Sequence, residues 1–201
     1  MSPTTAADRP LLICVYCASS ESSDERYRQA AHELGGRLAL AGHRIVYGGG
    51  ARGSMGALAN GALAASGQVT GIIPSFMVEL EWAHPGLAEL RQVENMRERK
   101  HLMLHESDAV VALPGGCGTF EELFEAMTLK RLGLYAGPIV IVNTLGYYDR
   151  LIGFLEQSVE EHFMRTEHLG LWTVVDEPGQ VLDAIRDAPR WDEAARGFAQ
   201  S

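Results

Sequence analysis

The chain has 201 residues, with 26 acidic against 17 basic side chains, a formal net charge of −9 and 46% hydrophobic content. That fits a single globular domain, and the acidic balance excludes a broad electrostatic footprint for nucleic acid or anionic lipid. A local cationic pocket for a small phosphorylated ligand stays open.

Residues 1–10 are polar and expected to be loose. They have neither the cationic end nor the apolar core of a secretory signal, and no apolar run approaches the roughly 20 residues of a membrane span. A cytoplasmic protein with no membrane or nucleic-acid partner is expected. The folded domain is read over residues 11–188, followed by a tail over 189–201.

Leu11–Cys17 reads as a buried strand and Ala18–Ser23 as a polar loop. Ser22 and Glu25 have capping-box spacing and open a helix with apolar Tyr27, Ala30, Ala31, Leu34 and Leu38, stopped at Gly42. A short strand, His43–Tyr47, runs into Gly48-Gly49-Gly50-Ala51-Arg52-Gly53, then an Ala- and Gly-rich helix, Ser54–Ser66, and a strand, Val69–Ile73. Ser75–Val93 looks less regular, with Trp82, His84, Pro85 and Gly86 in a surface loop or lid. Beyond it come helix Asn95–Ser107, strand Asp108–Leu113, a tight glycine turn, and a helix from Thr119 to about Leu132. Strand Pro138–Val142, helix Tyr148–Phe163, strand Leu171–Asp176 and a short helix after Pro178 complete the chain. Strands alternating with helices imply an α/β, Rossmann-like three-layer domain, its parallel sheet covered on both faces.

Cysteine is sparse, at Cys14, Cys17 and Cys117. Cys14 and Cys17 form a C-x-x-C, but inside a strand i and i+3 point to opposite faces, so a redox pair or zinc half-site is set aside. His101 and His105 have the i,i+4 spacing of a zinc pair without a Glu between them, and no metal is expected.

Both glycine turns follow a strand and precede a helix, so both lie at the carboxyl edge of a parallel sheet, where ligands bind. Close-approaching backbone N–H groups and a helix N-terminus make such a turn a phosphate cradle. Gly48–Gly53 satisfies G-x-G-x-x-G, but no acidic residue lies in Gln68–Pro74 to grip a ribose diol, and no Lys follows Gly53 as in a Walker loop. An NAD-linked oxidoreductase is therefore disfavoured. The second turn, Pro114-Gly115-Gly116-Cys117-Gly118-Thr119, can present consecutive amides and a hydroxyl, although Thr119 and Glu122 also read as a capping box. Arg99 shares a stripe with Met96 and Met103. There it either snorkels to solvent or points into a polar pocket.

These motifs resemble the Lonely Guy family of cytokinin-activating nucleoside 5′-monophosphate phosphoribohydrolases, once labelled lysine decarboxylase-like. The family's P-G-G-x-G-T-x-x-E stands at Pro114–Glu122, and its M-H-x-R-K corresponds to Met96–Lys100. Cys17-Ala18-Ser19-Ser20, Tyr47–Gly50 with Met55-Gly56, and Gly146-Tyr147-Tyr148 match further motifs in order, the similarity running from about Leu11 to Ile185. The resemblance implies hydrolysis of the N-glycosidic bond of a purine riboside 5′-monophosphate, such as a cytokinin nucleotide or AMP, giving free base and ribose 5-phosphate. It implies Arg99 and Glu122 as the catalytic pair. It implies substrate contacts at Lys100, Gly115, Gly116, Gly118, Thr119, Glu81 and Thr128, with Ser19, Ser20 and Gly50 beside the nucleotide. No cofactor is expected, and neither lysine, Lys100 or Lys130, sits in a context that would anchor one for decarboxylation.

The chemistry suits these residue types. Cleavage builds positive oxocarbenium character on the sugar, which a carboxylate stabilises or answers by activating water. A guanidinium keeps that carboxylate ionised and orients the phosphate or ribose. Arg97, Asn95, Ala18 and Leu129-Lys130-Arg131 depart from common family residues and leave base preference open. Apolar residues on more than one side of the helix from Thr119 suggest two packed faces. The family dimerises through this part of the fold, so a homodimer is expected; packing within one subunit is the alternative. The competing functional reading is a carrier of a nucleotide-like cofactor, which needs the cradle but not the Arg99–Glu122 pair.

Overall fold

The structure is a computed structural model and describes residues 9–80, 82–189 and 191. Most of the expected loose N-terminus and C-terminal tail, and Glu81, lie outside the described residues.

Seven strands and seven α-helices alternate: β1 (Leu12–Tyr16), α1 (Glu25–Leu40), β2 (Arg44–Tyr47), α2 (Gly53–Ala64), β3 (Gln68–Pro74), α3 (Ser75–Glu79), β4 (Glu89–Val93), α4 (Met96–His105), β5 (Ala109–Ala112), α5 (Cys117–Arg131), β6 (Ile139–Val142), α6 (Asp149–Glu160), β7 (Thr173–Val175) and α7 (Val181–Asp187) among the described residues. The sheet order is β4-β3-β2-β1-β5-β6-β7, with every pairing parallel. This is the Rossmann-like α/β architecture that the alternation of strands and helices implies.

Side-chain alternation along the strands divides the core. Ile13, Val15, Cys17, Tyr47 and Val111 pack with α1, α2 and α7, whereas Cys14, Tyr16, Val46, Val110 and Ile141 pack with α4, α5 and α6. Cys14 and Cys17 therefore do face opposite layers, and burial pushes both thiols up, away from thiolate chemistry. The chain runs outward from β1 through β4, then returns to β5 on the other flank of β1. That reversal opens a crevice between β1 and β5 at the carboxyl edge. Val15 lies level with both Tyr47 and Val111, so the loops leaving β1, β2 and β5 open at the same edge.

Three local expectations change. The cap of α1 is Asp24, which accepts from the Arg26 amide at 2.9 Å, while the Ser22 hydroxyl pairs with that of Ser20. Ser75–Val93 is more regular than expected: α3 and the edge strand β4, whose polar, largely exposed residues gave no apolar run, flank the expected loop with Trp82, His84, Pro85 and Gly86. Helix α5 begins two residues early, at Cys117, because extended Gly116 is its N-cap. Thr119 and Glu122 are thus inside the helix, and no side-chain capping bond forms there.

Helices α1 and α2 approach closely through paired glycines. A Cβ at Gly35 would overlap the Leu58 carbonyl, and one at Gly61 the His32 carbonyl. Gly61→Ala is therefore expected to lower stability by about 1–3 kcal/mol despite the roughly 0.5–1 kcal/mol that Ala gains over Gly in a helix. Gly153→Ala on exposed α6, where a Cβ meets nothing within 4 Å, should raise it by up to ~1 kcal/mol. Urea midpoints check both, and an unchanged midpoint for Gly61→Ala would contradict the close packing.

Candidate active site

Arg99 leaves α4 pointing inward and is only 5% exposed. Its Nε donates to the Ile72 carbonyl at 3.1 Å and its Nη2 to the Gly48 carbonyl at 2.9 Å. The polar-pocket alternative for Arg99 is the one realised. The charge is docked on the carboxyl edges of β2 and β3, with Nη1 beside Met96 Sδ at 3.6 Å. Glycine at 48 leaves the guanidinium room to dock, since a Cβ there would overlap Arg99 Nη2.

Glu122 faces the same space from the second turn of α5 and is also 5% exposed. Its carboxylate has no hydrogen bond or ion pair with any described residue in the structure. Burial pushes its carboxyl up from 4.5 to about 7; Arg99 and Lys100 pull it down, and Glu121 and Glu125 push it up. A desolvated, unpartnered carboxylate beside a fixed guanidinium is costly, which makes this crevice the candidate functional site.

Arg99 and Glu122 line one cavity of about 360 Å³ together with Ser19, Ser20, Gly116, Gly118 and Thr119. A Cβ at Gly116 or Gly118 would meet nothing within 4 Å, so packing within the chain does not require glycine there. The first-turn amides of α5, at Cys117, Gly118 and Thr119, have no intrahelical acceptors, and the helix dipole favours an anion in front of them. A second lobe of about 270 Å³ adjoins the cavity, sharing Ser19, Met55, Met77 and Arg99 and adding Gly50, Arg52, Ile73 and Trp82.

The walls are fixed by polar contacts. Tyr47 donates to the Gly50 carbonyl at 3.1 Å, the Ala51 amide to the Trp82 carbonyl at 3.0 Å, and the His84 amide to the Gly49 carbonyl at 2.9 Å. Beneath the second glycine turn, Tyr148 donates to the Leu113 carbonyl at 2.7 Å and Tyr147 to the Gly115 carbonyl at 2.6 Å. The paired tyrosines thus buttress the cradle. Periodicity could not reveal this, although the Gly-Tyr-Tyr motif drew notice. Of the second lobe, the motifs pointed to Gly50 and Ser19; Met77 and Trp82 stand in a mixed segment that carries no site motif.

The remaining expected residues lie elsewhere. Gly115 is behind the cradle, packed against Thr119, and does not line the cavity. Lys100 turns away to Glu121 at 2.5 Å and Glu125 at 3.0 Å. Thr128 is exposed on α5 outside the cavity. His101 and His105 stack with ring centroids 4.9 Å apart.

A parallel sheet with an anion cradle at its switch point defines a Rossmann-like nucleotide-binding fold. A family model described as "possible lysine decarboxylase" matches residues 55–185. A cytokinin riboside 5′-monophosphate phosphoribohydrolase of Rhodococcoides fascians is 42% identical over 79% of this chain and 81% of its own length. One from Arabidopsis thaliana is 40% identical over 77% of this chain and 72% of its own. The chain belongs to this Lonely Guy family of phosphoribohydrolases. The molybdenum cofactor carrier protein from Chlamydomonas reinhardtii has the same fold, with a TM-score of 0.69 at 21% identity, covering 90% of this chain and 98% of that one.

The raised Glu122 value carries a stability consequence. Between pH 4.5 and about 7 the native chain holds a proton that the unfolded chain has lost, so stability falls as pH rises through that window. The gap corresponds to on the order of 3 kcal/mol at most. Glu122→Gln should therefore stabilise the protein at pH 8 but hardly at pH near 4.5, read by urea unfolding at each pH. An equal effect at both would contradict a raised value.

Proposed function

We propose that this protein hydrolyses the N-glycosidic bond of purine riboside 5′-monophosphates, releasing free base and ribose 5-phosphate. The observation that carries the reading is a buried, unpartnered Glu122 sharing a cavity with Arg99 in front of an open anion cradle. The 5′-phosphate sits against the first-turn amides of α5, with the Thr119 hydroxyl beside it. This anchorage lets binding energy remote from the reacting carbon hold the sugar at Glu122. As the bond to the purine breaks, its electron pair leaves with the base, and positive charge grows at the anomeric carbon. The Glu122 carboxylate stabilises that charge and takes a proton from the attacking water. Arg99 keeps Glu122 ionised enough to act and reaches the ribose or phosphate through the edge of its guanidinium not committed to Gly48 and Ile72.

The purine occupies the second lobe, beside Gly50 and Ser19. Met55, Ile73, Met77 and Trp82 offer an apolar wall that suits an N6 isoprenoid side chain better than the bare amino group of AMP. The working assembly is a homodimer through α5 and α6, where Phe124 and Phe154 are exposed. Thr128, one turn beyond Phe124 on the same face, meets nucleotide only in that assembly. We also place the protein in the cytoplasm, in keeping with described residues among which no helix is long and apolar enough to cross a membrane.

Chromatography of reactions with N6-isopentenyl-AMP and AMP should detect free base from both, faster from the first. Glu122→Ala is expected to lower kcat at least a hundredfold, and wild-type kcat/KM should fall as pH drops below about 7. Tight nucleotide binding without turnover would favour a carrier instead. Sedimentation should give a dimer that Phe124→Glu converts to monomer; a wild-type monomer would contradict the assembly.

A further inference from the structure

The two cations that follow one another on α4 do different jobs. Successive helical residues are turned about 100° apart, so when Arg99 points into the crevice, Lys100 points along its flank towards α5. There its ammonium bridges Glu121 Oε1 at 2.5 Å and Glu125 Oε2 at 3.0 Å, one turn apart on the same face of α5. The Lys100 side chain is only 15% exposed and two of its three donors are committed. It does not line the cavity, whereas Glu121, which it holds, does. Helices α4 and α5 are thus matched twice, Arg99 across the cavity from Glu122 and Lys100 against the carboxylates on either side of it.

We propose that Lys100 is a positioning residue, not a substrate ligand: bridging Glu121 and Glu125, it neutralises the two carboxylates that flank Glu122 and keeps Glu122 able to ionise. The inference rests on the phosphoribohydrolase reading for its kinetic readout. An exposed ion pair contributes little stability by itself, but a desolvated carboxylate feels neighbouring charges through a poorly screening medium. The groups that face Glu122 are Arg99 and Lys100 from α4, Glu121 and Glu125 from α5, Cys14 and Tyr16 from β1, and Cys17 just beyond it. Burial pushes the two thiols and the Tyr16 phenol up, so they stay neutral. Of the charged ones, Lys100 lowers Glu122 and both neighbouring glutamates raise it.

The test uses variants with opposite expected signs. Lys100→Met leaves two uncompensated negative charges, so the acidic limb of kcat/KM should move up by about half a pH unit, close to a threefold loss below the limb. Glu121→Gln, an isosteric change at an exposed side chain, should move it down. Lys100→Arg should restore the wild-type limb, and the Lys100→Met/Glu121→Gln double variant should fall between the single changes. Carbon NMR titration of the side-chain carboxyls, with the Glu122 signal assigned from Glu122→Gln, should follow the same order. That titration reads the clamp even if wild-type protein turns over no nucleotide, so failure of the activity and failure of the clamp are distinguishable. A limb and a titration unmoved in Lys100→Met and Glu121→Gln would overturn the proposal. A tenfold rise in KM for Lys100→Met without such movement would make Lys100 a nucleotide ligand.

Discussion

Most of the crevice is arranged around one electrostatic constraint: a carboxylate removed from water must stay close enough to a fixed positive charge to ionise near neutral pH. Glu122 has no described hydrogen-bond partner, and Arg99 is held by two backbone carbonyls rather than by a carboxylate of its own. Were Arg99 tied tightly to Glu122, the pair would neutralise itself and the carboxyl would sit well below its ordinary value. With the guanidinium anchored on Gly48 and Ile72 instead, burial dominates and lifts Glu122 to about 7. Such a cost in stability fits the proposed role, in which Glu122 changes charge near working pH.

The sheet makes this arrangement possible. The carbonyl partners of Arg99 come from the ends of β2 and β3, Glu122 comes from the helix after β5, and Ser19 comes from the loop after β1. Only a parallel sheet with level strand ends delivers all four to one edge. The glycines serve two purposes. Gly48 makes room for a side chain of the protein itself, whereas Gly116 and Gly118 leave space that nothing in the chain fills. Tyr147 and Tyr148 then hold the second turn from behind, so the cradle does not depend on its ligand for its shape.

Much of the fold was readable because buried parallel strands are written as short apolar runs separated by turn residues. The interior strands β1, β2, β3, β5 and β6 were legible for that reason. Strand β4 was not, since an edge strand is defined by pairing with β3 rather than by its own polar residues. The start of α5 was misread because Gly116, with no side chain to signal a cap, sets it by backbone geometry alone. At the site, the motifs named Arg99 and Glu122, but whether Arg99 turned inward depended on carbonyls 27 and 51 residues away. The same holds for Lys100, whose neighbours in sequence say nothing of Glu121 and Glu125. The apolar lobe formed by Met77 and Trp82 was hidden because its walls come from separate segments brought together only by the fold.

The most direct measurement is a crystal structure of the Glu122→Gln variant with AMP bound. The expected result is a phosphate against the amides of Cys117, Gly118 and Thr119, the anomeric carbon facing residue 122, and the purine between Met55 and Trp82. A nucleotide seated in this crevice with its anomeric carbon turned away from residue 122, or bound at another edge of the sheet, would contradict the assignment of Glu122 as the group that acts on the sugar.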